Sequence, residues 1–230
     1  MKSEQSQKLI LDTFNYPFNE QKFYNLSINL FKNLNLVNDS RWEDNNKLPD
    51  NLRSNIQSFK ILGNYRYNSG ETILIAMIKL KDSKTVEKSR SLQRNFSKYL
   101  LEKNNADACL VSFFADDYED WRFSLIKIDY RRSINQLGKI KINKDLTPLK
   151  RFSYLVGLNE PNFTAKSQLS PLLNKLEAPT IDELIAAFSI EKVTKEFFKD
   201  YKNLTYILAG ELKSLQSDNK IYSEFKAKKI

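Results

Sequence analysis

Residues 56–130 constrain this chain more than any other stretch, because their apolar runs and turns fit one order of elements. Two strand-like runs, residues 56–67 (IQSFKILGNYRY) and 72–81 (TILIAMIKLK), flank Asn68-Ser69-Gly70-Glu71. Asn and Gly tolerate positive φ, so this short connection reads as a hairpin turn. A charged helix follows at 83–103. Two further strands come at 108–115 (ACLVSFFA) and 121–129 (WRFSLIKID), split by Asp116-Asp117-Tyr118-Glu119-Asp120. Strand, strand, helix, strand, strand predicts an α/β core whose mixed sheet carries a crossover helix.

The flanks decorate that core. Residues 1–12 read as a mobile leader. Asn19 is placed to cap a helix over 19–36, in which Phe23, Leu26, Leu30 and Leu34 recur at near-helical spacing. Residues 37–55 are polar and interrupted by Pro49, which predicts a loop anchored by Trp42. Beyond Tyr130, a turn at 136–139 and a strand at 139–143 extend the last hairpin, and 146–157 is strongly patterned. Helices are expected at 164–175, 179–187 and 190–208, the second opened by the capping box Thr180-Ile181-Asp182-Glu183. The polar last twenty residues read as helical with no stop signal, so the chain is expected to continue past Ile230. A boundary near 158–166 divides an α/β domain, 1–160, from a helical connector, 161–230.

Composition narrows the function classes. Lys and Arg number 37 against 28 acids, a net charge of +9. That balance favours an anionic partner, nucleic acid first and a membrane surface second, although a codon bias toward Lys and Asn leaves the same trace. Histidine is absent, which excludes Ser-His-Asp and Cys-His catalysis and His-ligated metals. The single cysteine, Cys109, lies in an apolar strand and reads as a small core residue in a reducing, cytoplasmic setting. The five glycines form neither GxGxxG nor a Walker loop. No run approaches 18 apolar residues, so no membrane partner is expected.

Two groups of residues carry candidate chemistry. In the charged helix, Leu92, Phe96, Tyr99 and Leu100 make a core-facing stripe, while Arg90, Arg94 and Lys98 share another face. These cations form either a phosphate-contacting ridge or an ordinary solvated face. The order of elements also raises the PD-(D/E)xK nuclease motif, in which two carboxylates hold Mg²⁺ and a lysine helps position water. Glu71 at the hairpin turn, with Lys79 and Lys81, would be its members. However, Met77 and Lys79 stand where the acid two residues before each lysine belongs, which leaves Glu20 or Asp82 as substitute ligand. The acidic turn 116–120 lacks an EF-hand pattern and reads as solvated. Tyr65, Tyr67, Trp121, Arg122, Phe123, Arg151 and Tyr154 mix rings with cations, as nucleic-acid surfaces often do. Strand alternation turns about half of them inward.

Several of these segments resemble one bacterial family. Residues 88–96 (KSRSLQRNF) are similar to its "ARxMQRNF" helix, and 120–127 (DWRFSLIK) to its "DWRFSFVK" strand. Residues 147–157 (TPLKRFSYLVG) resemble "TPARRYSFLVG", and 188–201 (FSIEKVTKEFFKDY) resemble "FSVEKVTKEFFxxY". The family is the amino-terminal region of type IIG bifunctional restriction–modification enzymes, which join an endonuclease to an adenine-specific DNA methyltransferase. The matches run in order over residues 60–205. The resemblance implies a restriction-endonuclease-like mixed sheet followed by a helical connector and then a methyltransferase region. S-adenosylmethionine would belong to that region alone, since neither its Asn-Pro-Pro-Tyr nor its glycine-rich motif occurs here. The resemblance implies double-stranded DNA and the methyltransferase region as partners. Arg90, Arg94, Lys98, Arg122, Lys150 and Arg151 would be phosphate contacts, and Glu71, Lys79 and Lys81 the nuclease candidates, with Glu71 and Glu20 on Mg²⁺. Where the family often has His-Thr-Ala, this chain has Phe163-Thr164-Ala165. A non-catalytic DNA-binding module, or a methyltransferase-docking module that never touches DNA, fits the same residues.

Overall fold

The expected hairpin is the centre of the observed sheet. In a computed structural model, which describes residues 3–128, 131–134, 140–143 and 149–215, β3 (Ile56–Arg66) and β4 (Thr72–Leu80) pair antiparallel around a turn in which Gly70 has φ +91°. That left-handed position suits a residue without Cβ. A crossover through α4 (Ser83–Lys88) and α5 (Arg90–Asn104) sets β5 (Ala108–Phe114) parallel to β4. β6 (Asp120–Ile128) then runs antiparallel to β5, and β9 (Leu149–Gly157) antiparallel to β6. Two short strands, β1 (Asn35–Leu36) and β2 (Glu43–Asp44), both pair with β3. The result is a seven-stranded mixed sheet in the order β1-β3-β4-β5-β6-β9, with β2 beside β1 on β3. β7 (Arg131–Ile134) and β8 (Ile140–Asn143) make a separate two-stranded sheet, where the sequence predicts an extension of the preceding hairpin.

Both faces of the large sheet are covered, which is why β4 and β5 are apolar on both sides. On one face Ile73, Ile75, Met77, Leu110, Trp121 and Phe123 meet side chains of α1 (Ser3–Phe14), α2 (Glu20–Leu30), α6 (Phe163–Leu173) and α7 (Ile181–Phe188). On the other, Leu74, Ala76, Ile78, Cys109, Val111 and Ile126 meet Val86, Phe96 and Leu100 of α4 and α5 and Leu52 of the short α3 (Asp50–Arg53). Burying one such side chain stabilises by about 1.5–3 kcal/mol, so each helix layer is held chiefly by its apolar stripe.

Several boundaries differ from the sequence reading. The expected leader is α1, because Ile10 and Phe14 are fully buried and the Phe14 ring lies edge-on to Trp121 at 5.5 Å. Residues 37–55 hold β2, a 3-10 turn at Asn45–Lys47 and α3 as well as loop. The helix expected over 83–103 breaks at Ser89 (φ −86°, ψ 56°). At that break the last carbonyls of α4 turn to side chains: Gln93 Nε2 donates to Thr85 and Val86, and Arg122 donates to Val86 and Glu87.

The chain divides into two units at 188/189 rather than near 160. Ala165, Leu169, Leu173, Ile181, Leu184 and Phe188 complete the first core, so the expected connector's first two helices belong to the α/β unit. The capping box opens α7 as expected: Glu183 N–H donates to Thr180 Oγ1 at 3.2 Å and Thr180 N–H to Glu183 Oε2 at 3.0 Å. The second unit contains α8 (Ile190–Leu215), with Phe197 stacked on Tyr201. The turn expected at 136–139 and the helix expected over 216–230 lie outside the described residues. Among the described residues, no helix is long and apolar enough to cross a membrane.

Candidate nucleic-acid interface

Strand alternation sorts the basic residues near the sheet edge. β9 pairs with β6 in the register Ile126↔Arg151, Ser124↔Ser153 and Arg122↔Leu155. Ile126 and Leu155 belong to the core under α5, whereas Phe152 and Tyr154 belong to the opposite face. Period-two alternation therefore places Arg122, Ser124, Arg151 and Ser153 on the α5 side. Arg90 is exposed and opens α5, just after the Val86 and Glu87 carbonyls to which Arg122 donates.

The charge of Arg90 is felt by Arg122, and the charges of Arg122 and Arg90 by Arg151. Arg122 is fixed by its main-chain acceptors, with Nε at 2.7 Å from the Val86 oxygen and Nη2 at 3.0 Å from that of Glu87. Burial lowers its pKa and the charge of Arg90 adds to this, opposed by Tyr118, Glu87 and Glu160. Arg151 donates from Nη2 to Ser153 Oγ at 3.2 Å, and Ser124 in turn donates to Ser153 Oγ at 2.9 Å. The buried Arg151 Nε has no hydrogen-bond partner. Burial pushes Arg151 down to about 10, with the positive charges of Arg122 and Arg90 adding to the shift. Three guanidinium groups thus share one region at the edge strand, and the most buried of them lies among like charges.

The other expected phosphate contacts are dispersed. Arg94 is exposed one turn beyond Arg90 and makes no ion pair among the described residues. Lys98 is partly offset by Glu102, 3.7 Å away in the next turn. Lys150 does not join Arg151: neighbouring residues of a strand point to opposite faces, and its cross-strand partner is Lys127. Lys127 itself lies near Glu71 (3.7 Å) and Asp182 (3.9 Å).

The nuclease set does not assemble. Glu71 precedes the first residue of β4 and Lys79 is next to its last, and eight strand residues at about 3.3 Å each separate them by about 26 Å. One metal ion cannot bridge that gap. Glu71 is held instead by Lys127 and by Ser69, whose hydroxyl donates to it at 3.2 Å. Lys79 pairs with Asp116 at 2.7 Å, and the exposed Lys81 follows the strand with its N–H on the Asn55 carbonyl. Asp82 caps α4 by accepting from Thr85 N–H at 2.8 Å. Met77, at the expected acidic position, is fully buried in the core.

Glu20 and Glu71 likewise do not meet. Both oxygens of Glu20 are engaged, Oε1 by Lys60 at 2.7 Å and Oε2 by the Trp42 indole at 3.0 Å. Burial raises the Glu20 pKa, but those two hydrogen bonds and the Lys60 charge outweigh it and leave the carboxyl below its ordinary value. Glu20 and Lys79 do line one open cavity of about 280 Å³ with Phe18, Trp42, Ser58 and Phe114. It lies at the carboxyl ends of the parallel strands β4 and β5, a common ligand position in open α/β sheets. Among the described residues, no three His, Cys, Asp or Glu side chains gather closely enough to hold a metal. Among the described residues, Glu71 does not come together with Glu20 and Lys79 as the Mg²⁺ site that the resemblance implies would require.

Four of the five residues of the acidic turn, Asp116, Asp117, Tyr118 and Asp120, have structural partners. Asp116 holds Lys79, Asp117 accepts from Ser83 N–H, and Asp120 accepts from Asn159. Tyr118 donates to Glu87 at 2.6 Å, and this bond, with burial, pushes the phenol up to about 12. Sequence reasoning missed Lys60 and Ser153, since single polar residues in strands carry no signal without the register. Neither a protein-family model, nor a curated protein, nor a solved structure matches this chain.

Proposed function

We propose that this chain is a DNA-engaging, restriction-endonuclease-like module of a type IIG restriction–modification protein. In this reading the partner is double-stranded DNA, and methyl transfer from S-adenosylmethionine belongs to a methyltransferase region beyond these residues. The observation that carries the proposal is that Arg122 and Arg151 share one face of the paired strands at the sheet edge, with Arg122 bonded to the carbonyls just before Arg90 opens α5 and Arg94 one turn on. Like charges repel and burial disfavours them, so a group of this kind is best accounted for by an anion that it binds. The strand–strand–helix–strand order and the segments quoted above supply the family part of the proposal.

The geometry supports binding more strongly than cutting. The separation of Glu71 from Lys79, and Met77 in the core, speak against a Mg²⁺ site built on Glu71. The cutting form rests on Glu20 and Lys79, which line one cavity. Two assays on the 230-residue protein decide between the forms. Fluorescence anisotropy with a duplex of about 20 base pairs at low salt is expected to show binding, and no binding there would overturn the proposal. Incubation of supercoiled plasmid with Mg²⁺ or Mn²⁺ is expected to leave it intact. Nicking that is lost in Glu20→Gln would establish the cutting form instead.

A further inference from the structure

We propose that Arg90, Arg122 and Arg151, set around the first turn of α5 at the edge of the sheet, form a discrete site for one phosphate group. A diester within a DNA strand and a free phosphate ion offer this site the same chemistry. The inference rests on the proposed DNA-binding function only for the source of the phosphate.

Three observations make this a site rather than a diffuse basic surface. First, the main-chain carbonyls of Val86 and Glu87 take the Nε and one Nη of Arg122, so this guanidinium is oriented before anything binds. Its remaining N–H groups are left to present to a ligand. Second, Arg151 is anchored at one Nη by Ser153, itself held by Ser124, while its buried Nε lacks an acceptor. A buried donor without a partner is rare in folded proteins, and an oxyanion that reaches it supplies the missing acceptor. Third, the charged groups acting on Arg151 are both positive, Arg122 and Arg90. Glu87 and Glu160 act on Arg122, and the Glu87 carboxylate is already bonded by Tyr118. The first turn of α5 adds to the arrangement without carrying it: it has no acidic residue and no side-chain cap, so its positive end is not offset by its own side chains.

A purely structural reading, in which Arg122 only clamps the α4–α5 junction and Arg151 only packs, makes different forecasts. The test compares the full chain with Arg151→Met and, as a control cation outside the trio, Arg94→Gln. Thermal denaturation is followed in inorganic phosphate and in chloride at matched ionic strength. Phosphate is expected to raise the midpoint of the parent and of Arg94→Gln with a saturating dependence. In Arg151→Met the apparent phosphate affinity is expected to fall by about 10-fold or more, as removal of a charge-assisted hydrogen bond implies. An equal rise in all three proteins, or none in the parent, overturns the proposal. Should Arg151→Met fail to fold, arginine Nε–H resonances of the parent give a second reading. Phosphate is expected to shift those of Arg151 and Arg122 along one saturation curve and to leave Arg53, held by Asp50 and the Leu48 carbonyl, in place. Unmoved Arg151 and Arg122 resonances overturn it. Duplex DNA separates this inference from the functional reading. Saturable phosphate binding without duplex binding retains the site and discards the DNA partner. Duplex binding that Arg151→Met leaves unchanged, with phosphate silent, does the reverse.

Discussion

Replacing Arg151 by methionine is expected to stabilise the folded chain while weakening its grip on an anion. The parent residue has a buried Nε without an acceptor, and leaving such a donor unsatisfied costs about 1–3 kcal/mol. Methionine is of similar length, fills the space and carries no donor. Against this gain stands the removal of the Nη2 bond to Ser153, about 0.5–1.5 kcal/mol net for a bond at 3.2 Å beside solvent. Relief of the repulsion from Arg122 and Arg90 adds to the gain. The balance is a stabilisation of about 1 kcal/mol, read as a higher urea midpoint at unchanged m-value. Duplex affinity measured on the same samples is expected to fall, a trade between stability and function often found at binding sites. A variant destabilised by about 1 kcal/mol or more would mean that Arg151 is a structural residue. One that binds duplex as well as the parent would mean that it contacts no phosphate.

Other changes test the frame around the site. Phe188→Ala removes a buried ring lying 5.2 Å from Phe123 and 5.1 Å from Tyr154, and is expected to destabilise by about 3–5 kcal/mol in urea. A decrease under about 1 kcal/mol would place the end of the compact unit earlier than residue 188. Glu20 has a folded pKa below its ordinary 4.5, so its contribution is present above pH 4.5 and fades as pH falls through the folded value. Glu20→Gln is therefore expected to flatten the acid limb of a stability–pH curve below 4.5, and an unchanged limb would mean that the Lys60–Trp42 clamp contributes nothing. Gly157→Ala puts a Cβ at φ +146° against the main chain of Glu119 and Asp120, and is expected to destabilise by about 1–3 kcal/mol in thermal melts. A neutral result would mean that this corner is free to move.

Much of the sheet was legible because its signals are local. The β4 and β5 runs are apolar on both faces, the Gly70 turn has its own chemistry, and Asn19 and Thr180 are strong caps that the structure uses. What escaped was set by residues far away in sequence. α1 is polar by composition, and only the packing of Ile10 and Phe14 against Trp121 and its neighbours makes it part of the core. The break at Ser89 depends on Arg122, about thirty residues on, taking the carbonyls that a continuous helix would have used. At the candidate site, Arg122 and Arg151 were visible as cations, but their shared face required the β6–β9 register. That same register separated Lys150 from Arg151. The distance between Glu71 and Lys79, in contrast, was already implied by the length of the strand between them.

The central claim is that three arginines at the sheet edge contact a polyanion, and the salt dependence of duplex binding tests it most directly. With Arg90, Arg122 and Arg151 all changed to glutamine, the slope of log K against log[salt] is expected to fall by about 0.9, the share of the one phosphate no longer neutralised. Changing Lys8, Lys47 and Lys103, exposed cations elsewhere on the chain, is expected to alter it far less. Equal slopes for the parent and the arginine triple variant, with both proteins folded, would contradict the claim.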